Sequence, residues 1–165
     1  MWSFKSASKT IITVAASMIL LAGCTFRPVY EQSDARKTSI SYAAPASQIE
    51  QALIEEIKFR IGEDKAGRYK ISFATSASTR TINSVSSQFV RTEYEATVRS
   101  TYTLIDTQSG DQIGKAERFA SAIYQGSSQN VANAQAQKDA YERAARDVAR
   151  QISLLVSTAI QGNEN

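Results

Sequence analysis

Apolar residues are spaced in three ways along this chain, and each spacing predicts an element. Ile11 to Leu21 is a nearly continuous apolar run behind a short basic start carrying Lys5 and Lys9. A helix needs about 20 apolar residues to span a bilayer, so this shorter run, cationic before and small-residued after, predicts an export signal over residues 1–23. Thr25 to Lys37 has no period, contains Pro28 and predicts a tether over residues 24–37. Thr38-Ser39-Ile40-Ser41-Tyr42 predicts a short strand with Ile40 and Tyr42 on one side. Past Pro45 the spacing lengthens to four. Ile49, Leu53, Ile57 and Ile61 make one stripe, with Glu55, Glu56, Lys58 and Arg60 off it, which predicts a helix. Ser47 can cap that helix, Glu50 three residues on completes a capping box, and Gly62 is a natural stop.

Strict alternation follows. Tyr69, Ile71, Phe73 and Thr75 share one side of a half-buried strand. The chain then turns rich in hydroxyls, and Ser76 to Ser87 fits either a loop or the polar start of a long strand. From Val90 the alternation returns: Tyr94, Ala96, Val98, Tyr102 and Leu104 face one way, with Arg91, Glu93, Glu95, Thr97, Arg99, Thr101 and Thr103 opposite. Thr107 to Asp111 reads as a turn, Gly110 supplying a positive φ. Gln112 to Tyr124 returns as the partner strand, but its inward face is ambiguous. Ile113, Phe119 and Ile123 lie on one side, and Ala116, Ala120, Ala122 and Tyr124 on the other. Gly126-Ser127-Ser128 ends it.

Val131 to Ile160 carries a last helical stripe, Ala134, Tyr141, Ala145, Val148, Ile152, Leu155 and Ala159. Asp139–Arg143 and Glu142–Arg146 are acid-first pairs on its wet side. Ala140, Ala144 and Ala145 let it lie close to whatever it packs on. The order β-α-β-β-β-α predicts an α+β two-layer sandwich, with both helices on one face of a mostly antiparallel four-stranded sheet. Residues 38–162 would form this single domain, with a disordered tail at 163–165.

Composition narrows the chemistry. The chain has 165 residues, 19 basic and 16 acidic, and two of the cations belong to the leader. The mature part is near neutral, without the basic stripe of a nucleic-acid binder. There is no histidine and one cysteine, Cys24. Without histidine or a free thiol neither a Ser/His/Asp nor a Cys/His set can be assembled, and no metal-ligand spacing or phosphate loop occurs. The expectation is a non-enzymatic protein without cofactor or metal. A Ser–Lys pair stays open in principle, but nothing in the spacing of Lys70 or Lys115 favours one. Glu93 and Glu95 read as a solvated strand face crossed by ion pairs. Arg91, Arg99 and Lys115, set among hydroxyls, are the candidate contacts for a phosphorylated lipid or a partner. Arg118 differs from Lys115 in parity and cannot act with it.

Leu21-Ala22-Gly23-Cys24, closing the apolar run, resembles the lipobox of bacterial lipoproteins. That resemblance implies a diacylglyceryl group on the Cys24 sulfur, cleavage before it, and a permanent lipid anchor. Cys24-Thr25-Phe26-Arg27-Pro28-Val29-Tyr30 is similar to the mature start of the LptE lipoproteins of lipopolysaccharide assembly, in their alphaproteobacterial form. Tyr102-Thr103-Leu104-Ile105-Asp106 before the turn resembles the family's strand end. Asp139-Ala140, Arg143, Ala149 and Ile152 resemble its last helix. Thr25 stands where the family usually has Gly, and Ile123-Tyr124 where it usually has Ser-Tyr. The resemblance implies a lipid-anchored protein on the periplasmic face of the outer membrane that plugs the LptD barrel and helps assemble it, with lipopolysaccharide as a ligand. Thr25 lacks the Asp that retains enteric lipoproteins in the inner membrane. An envelope lipoprotein holding a small ligand or cell-wall component, unrelated to lipopolysaccharide, remains the alternative.

Overall fold

A computed structural model of the protein describes residues 39–84 and 92–163. The element order is β1 (Ile40–Tyr42), α1 (Gln48–Ile61), β2 (Tyr69–Ser84), β3 (Thr92–Asp106), β4 (Gln112–Gln125) and α2 (Asn130–Asn163). The four strands make one sheet in that spatial order. β1 runs parallel to β2 through the pairs Ile40–Tyr69 to Tyr42–Ile71, and the two later pairings are antiparallel. The α+β sandwich expected from the spacing is therefore the observed fold. The hydroxyl-rich stretch resolves too: β2 runs on through Ser76 to Ser84. The leader, Cys24, the tether and the span Val85 to Arg91, which holds Ser86, Ser87 and Val90, lie outside the described residues.

The helices cover one sheet face, and the covered side of β4 is its alanine side. Tyr94, Ala96, Val98 and Tyr102 of β3 stand opposite Tyr124, Ala122, Ala120 and Ala116 of β4. All eight belong to, or pack against, the buried clusters. The larger apolar residues Phe119 and Ile123 point the other way and are 59% and 60% exposed. Ile113 is the exception: a register shift between Leu104 and Ile105 lets it turn against the core. Across from the alanines lie those of α2. Ala140, Ala144, Ala145 and Ala149 are fully buried beside Val148, Ile152 and Val156. Small residues on both surfaces bring helix and sheet close, so the face with less hydrophobic bulk is the better packed one.

Local details depart from the spacing in three places. In α1 the buried set is Glu50, Leu53, Ile54 and Ile57, with Ile49 and Ile61 at its margins. Ser47 Oγ accepts from the Glu50 N–H at 3.2 Å. The Glu50 carboxylate does not return the bond to the Ser47 backbone, so one arm of the capping box forms. In α2, Ala134 is exposed, and the helix runs past Ile160 to Asn163. Glu142 does meet Arg146, at 3.9 Å. Asp139 instead accepts from Gln135 at 2.7 Å, and Arg143 donates to the Ile123 carbonyl of β4 at 3.2 Å. The strand carbonyl, short of a ladder partner, outcompetes an exposed helical ion pair.

One end of the sheet is pinned by charge. Asp106, at the end of β3, is 1% exposed. It accepts from Arg68 Nε at 2.9 Å and Nη2 at 2.6 Å, and its other oxygen accepts from Gln108 N at 2.9 Å in the turn. Asn163, at the end of α2, reaches it at 3.4 Å. Gly67, just before β2, is needed for close approach: a Cβ there would lie 2.4 Å from the Ser39 carbonyl carbon. The turn's Gly110 has φ 81°, as the sequence required.

Two measurements test this packing. Ala140→Leu must push α2 away from Ala96 and Tyr124, and is expected to cost about 1–3 kcal/mol by chemical denaturation. The Arg68 hydrogen bonds, aided by Gln108, hold the Asp106 carboxyl below the usual carboxylate range. A group with a depressed folded-state pKa stabilises fully above its unfolded value, about pH 4, and loses that stabilisation as pH falls through the depressed one. Thermal melts in acid should therefore fall less steeply with pH in Asp106→Asn than in the parent, from a lower neutral-pH starting point.

Candidate functional site

Among the described residues nothing covers the other sheet face, and the alternation places its side chains. β2 contributes Lys70, Ser72, Ala74, Ser76, Ser78 and Arg80. β3 contributes Glu93, Glu95, Thr97, Arg99, Thr101 and Thr103, and β4 contributes Lys115, Glu117, Phe119, Ser121 and Ile123. Two ion pairs cross this face. Arg80 on β2 donates to Glu95 on β3, its cross-strand neighbour, and Arg99 on β3 donates to Glu117 on β4. Between them, the Thr97 and Ser121 hydroxyls share a hydrogen bond of 2.7 Å. The Arg80 hydrogen bond holds the Glu95 carboxyl below its usual range. Glu95 thus does what its position predicted, but its partner is Arg80, from the stretch whose structure the sequence left open.

The three candidate cations do not converge. Arg91 lies outside the described residues. Arg99 stands against Phe119, its guanidinium 5.1 Å from the ring centre, and is tied to Glu117. Lys115 pairs across from Thr103 and is exposed, with no ion pair among the described residues. Thr103 is four residues from Arg99, so the two charges are roughly 13 Å apart along the strands. Arg118 faces the helix side, opposite Ser100, as its parity required. Lys70 shares the open face and is exposed. The arrangement is a broad surface of hydroxyls and mostly paired charges, with Phe119 and Ile123 exposed upon it. It offers docking area, with a cleft of about 440 Å³ where Ala74, Ser76, Arg99, Thr101 and Glu117 meet the start of α1. Among the described residues no group of three or more His, Cys, Asp or Glu could hold a metal.

Beneath the sheet, the upper half of β2 is fixed to α2 by polar contacts. Thr79 Oγ1 shares a 2.6 Å hydrogen bond with the Tyr141 hydroxyl and accepts from Gln137 at 3.0 Å. Tyr94 and Tyr124 stack at 5.2 Å beside them. Burial raises the Tyr124 hydroxyl above its usual value. Thr75 and the fully buried Ser100 share a bond of 2.9 Å. The hydroxyls that blurred the reading of β2 are thus shared between its faces, and those beneath bond to elements far along the chain.

The family model for lipopolysaccharide assembly, LptE, matches residues 35–154, which span the sheet, α1 and most of α2. The chain belongs to the LptE family. LptE is a family of non-enzymatic lipopolysaccharide-assembly lipoproteins, and its model takes in the Asp106 end and the open face alike. Two solved structures share the LptE-type fold. A chain from Caulobacter crescentus CB15 assigned as a lipoprotein is 22% identical, with 79% of this chain and 97% of that one covered, at a TM-score of 0.59. Rare lipoprotein B from Shewanella oneidensis is 11% identical, with 76% and 97% covered, at a TM-score of 0.56. No curated protein matches the sequence.

Because Arg99 and Glu117 are each about half exposed, Arg99→Ala should change stability by less than about 1 kcal/mol, measured by denaturation. Any loss of ligand or partner association in that variant then reports on the surface and not on folding.

Proposed function

We propose that this LptE-family chain is an outer-membrane lipoprotein, held by lipid on Cys24 at the periplasmic face. There it plugs an LptD-like β-barrel, assists its assembly, and serves lipopolysaccharide transport to the cell surface. The observation that carries the proposal is the family match over residues 35–154. Three features support it. Leu21-Ala22-Gly23-Cys24 provides the thiolate for acylation and the small residues for cleavage. Among the described residues no helix is long and apolar enough to cross a membrane, and acyl chains on Cys24 would hold such a domain at the surface. Barrel lumens are polar and water-lined, and a face of hydroxyls and mostly cross-paired charges suits such a wall. Arg99 and Lys115, with Arg91, are the proposed contacts to the lipid's phosphates or to the barrel.

A C-terminally tagged chain, extracted in mild detergent, is expected to bring down a large outer-membrane barrel. Its first residue, by mass spectrometry, is expected to be Cys24 bearing acyl chains. Depletion should lower surface lipopolysaccharide. Recovery as free monomer with unmodified Cys24 would sink the proposal. Normal surface lipopolysaccharide after depletion would favour the envelope ligand-carrier instead.

A further inference from the structure

The two edges of the sheet are treated differently. On the β4 edge, α2 reaches over: Arg143 donates to the Ile123 carbonyl at 3.2 Å and Gln151 to the Phe119 carbonyl at 3.5 Å. On the β2 edge, β1 pairs with three residues only, Tyr69 to Ile71. There the Tyr69 N–H donates to the Ser39 carbonyl, and the Ile71 carbonyl accepts from Ala43. By the two-residue repeat, Phe73, Thr75, Ala77, Thr79 and Thr81 present their N–H and C=O groups to the same side. No strand among the described residues takes them up. The edge has no proline and one charge, Arg80, which points to the open face and is held by Glu95. The register is unbroken as far as Thr81. Edges that must stay unpaired are ordinarily kept short, charged or bulged, and this one is none of these for nine residues from Phe73 to Thr81.

A second feature lies at the lower end of this edge. A cleft of about 440 Å³ opens there, lined by Ala46 and Glu50 of the α1 start and by Phe73 to Ser76 of β2; it reaches Thr101 and the Arg99–Glu117 pair on the open face. Glu50 is 4% exposed, and among the described residues its carboxylate has no ion-pair or hydrogen-bond partner. A carboxylate facing an open cleft can accept a charge-assisted hydrogen bond from a cation that enters it.

We propose that the β2 edge takes up an extended, lysine- or arginine-bearing segment of a partner protein as a further strand, with the segment's cation meeting Glu50 in the cleft. Backbone pairing supplies the attachment, and Glu50 sets register and charge preference. A second copy of this chain does not satisfy the site. The one cation that a second β2 edge carries is Arg80, and it is already held by Glu95 on the open face.

The test uses the whole mature chain in detergent and a fluorescent threonine–valine peptide of about ten residues with one central lysine. The expected result is saturable binding, weakened about tenfold when norleucine replaces the lysine. Glu50→Gln should abolish that preference while leaving the norleucine peptide's affinity unchanged. Ala77→Pro removes an outward N–H and sets a ring on the edge without touching the β3 ladder, so it should abolish binding. Methylating alternate backbone nitrogens of the peptide should do the same with the protein unaltered. The proposal is overturned by equal affinity for both peptides, by absence of binding (including exclusion by the chain's own residues before Ser39), or by a dimer that Ala77→Pro dissolves.

Discussion

Everything in this domain follows from how closely α2 lies on the sheet. Ala140, Ala144, Ala145 and Ala149 on the helix and Ala96, Ala116, Ala120 and Ala122 on the strands give van der Waals contact without bulky side chains between them. Close seating fixes which face of β4 turns inward, and so which of its apolar residues are left outside. It brings Arg143 and Gln151 within reach of the β4 edge carbonyls. It also sets Tyr141 and Gln137 against Thr79, holding the upper half of a strand that has no neighbour on its far side among the described residues. A bulkier interface would lift the helix and loosen all three.

The same geometry explains why the domain has a bare face at all. Two helices suffice to cover one side of four strands, and no further element follows α2 among the described residues. The exposed side then has to be soluble by composition. It manages this with cross-strand charge pairs and hydroxyl pairs, each worth little alone, and with the exposed Lys70 and Lys115. Phe119 and Ile123 are the departures, and they sit together on β4, next to Arg99. A surface of this kind meets a polar wall over its whole area, which fits the structural role proposed better than a pocket would.

Much of this architecture was legible in the residues, and the gaps have physical causes. The Tyr94–Leu104 alternation is unambiguous because that strand has a bulky face and a charged one. β4 was ambiguous because its inner face is alanine and its outer face carries the phenylalanine and isoleucine; hydrophobic bulk misleads where the partner surface is small. Ser76 to Ser84 resisted reading because hydroxyls occupy both sides, some turned to solvent and some bonded to Tyr141, a residue distant in sequence. Glu50 fitted a capping box by its spacing, yet in the fold it lines a cleft and leaves the return bond to Ser47 unmade. Of the proposed contacts, the parities of Arg99, Lys115 and Arg118 were readable. Pairing of Arg99 with Glu117 and of Glu95 with Arg80 was not, because it depends on the register of strands set by the turn and a bulge. The open β2 edge was hidden in the brevity of β1, which a five-residue pattern of apolar and polar positions does not reveal.

The central claim is that the bare face, and not the helix face, meets the barrel. Photo-crosslinking in living cells addresses it directly, with a photoreactive residue at Thr97 or Ser121 on the sheet and, in a parallel strain, at Leu154 on the outer surface of α2. The account predicts strong adducts to an outer-membrane barrel protein from the two sheet positions and weak or none from Leu154. Adducts from Leu154 alone, or from none of the three, would contradict it.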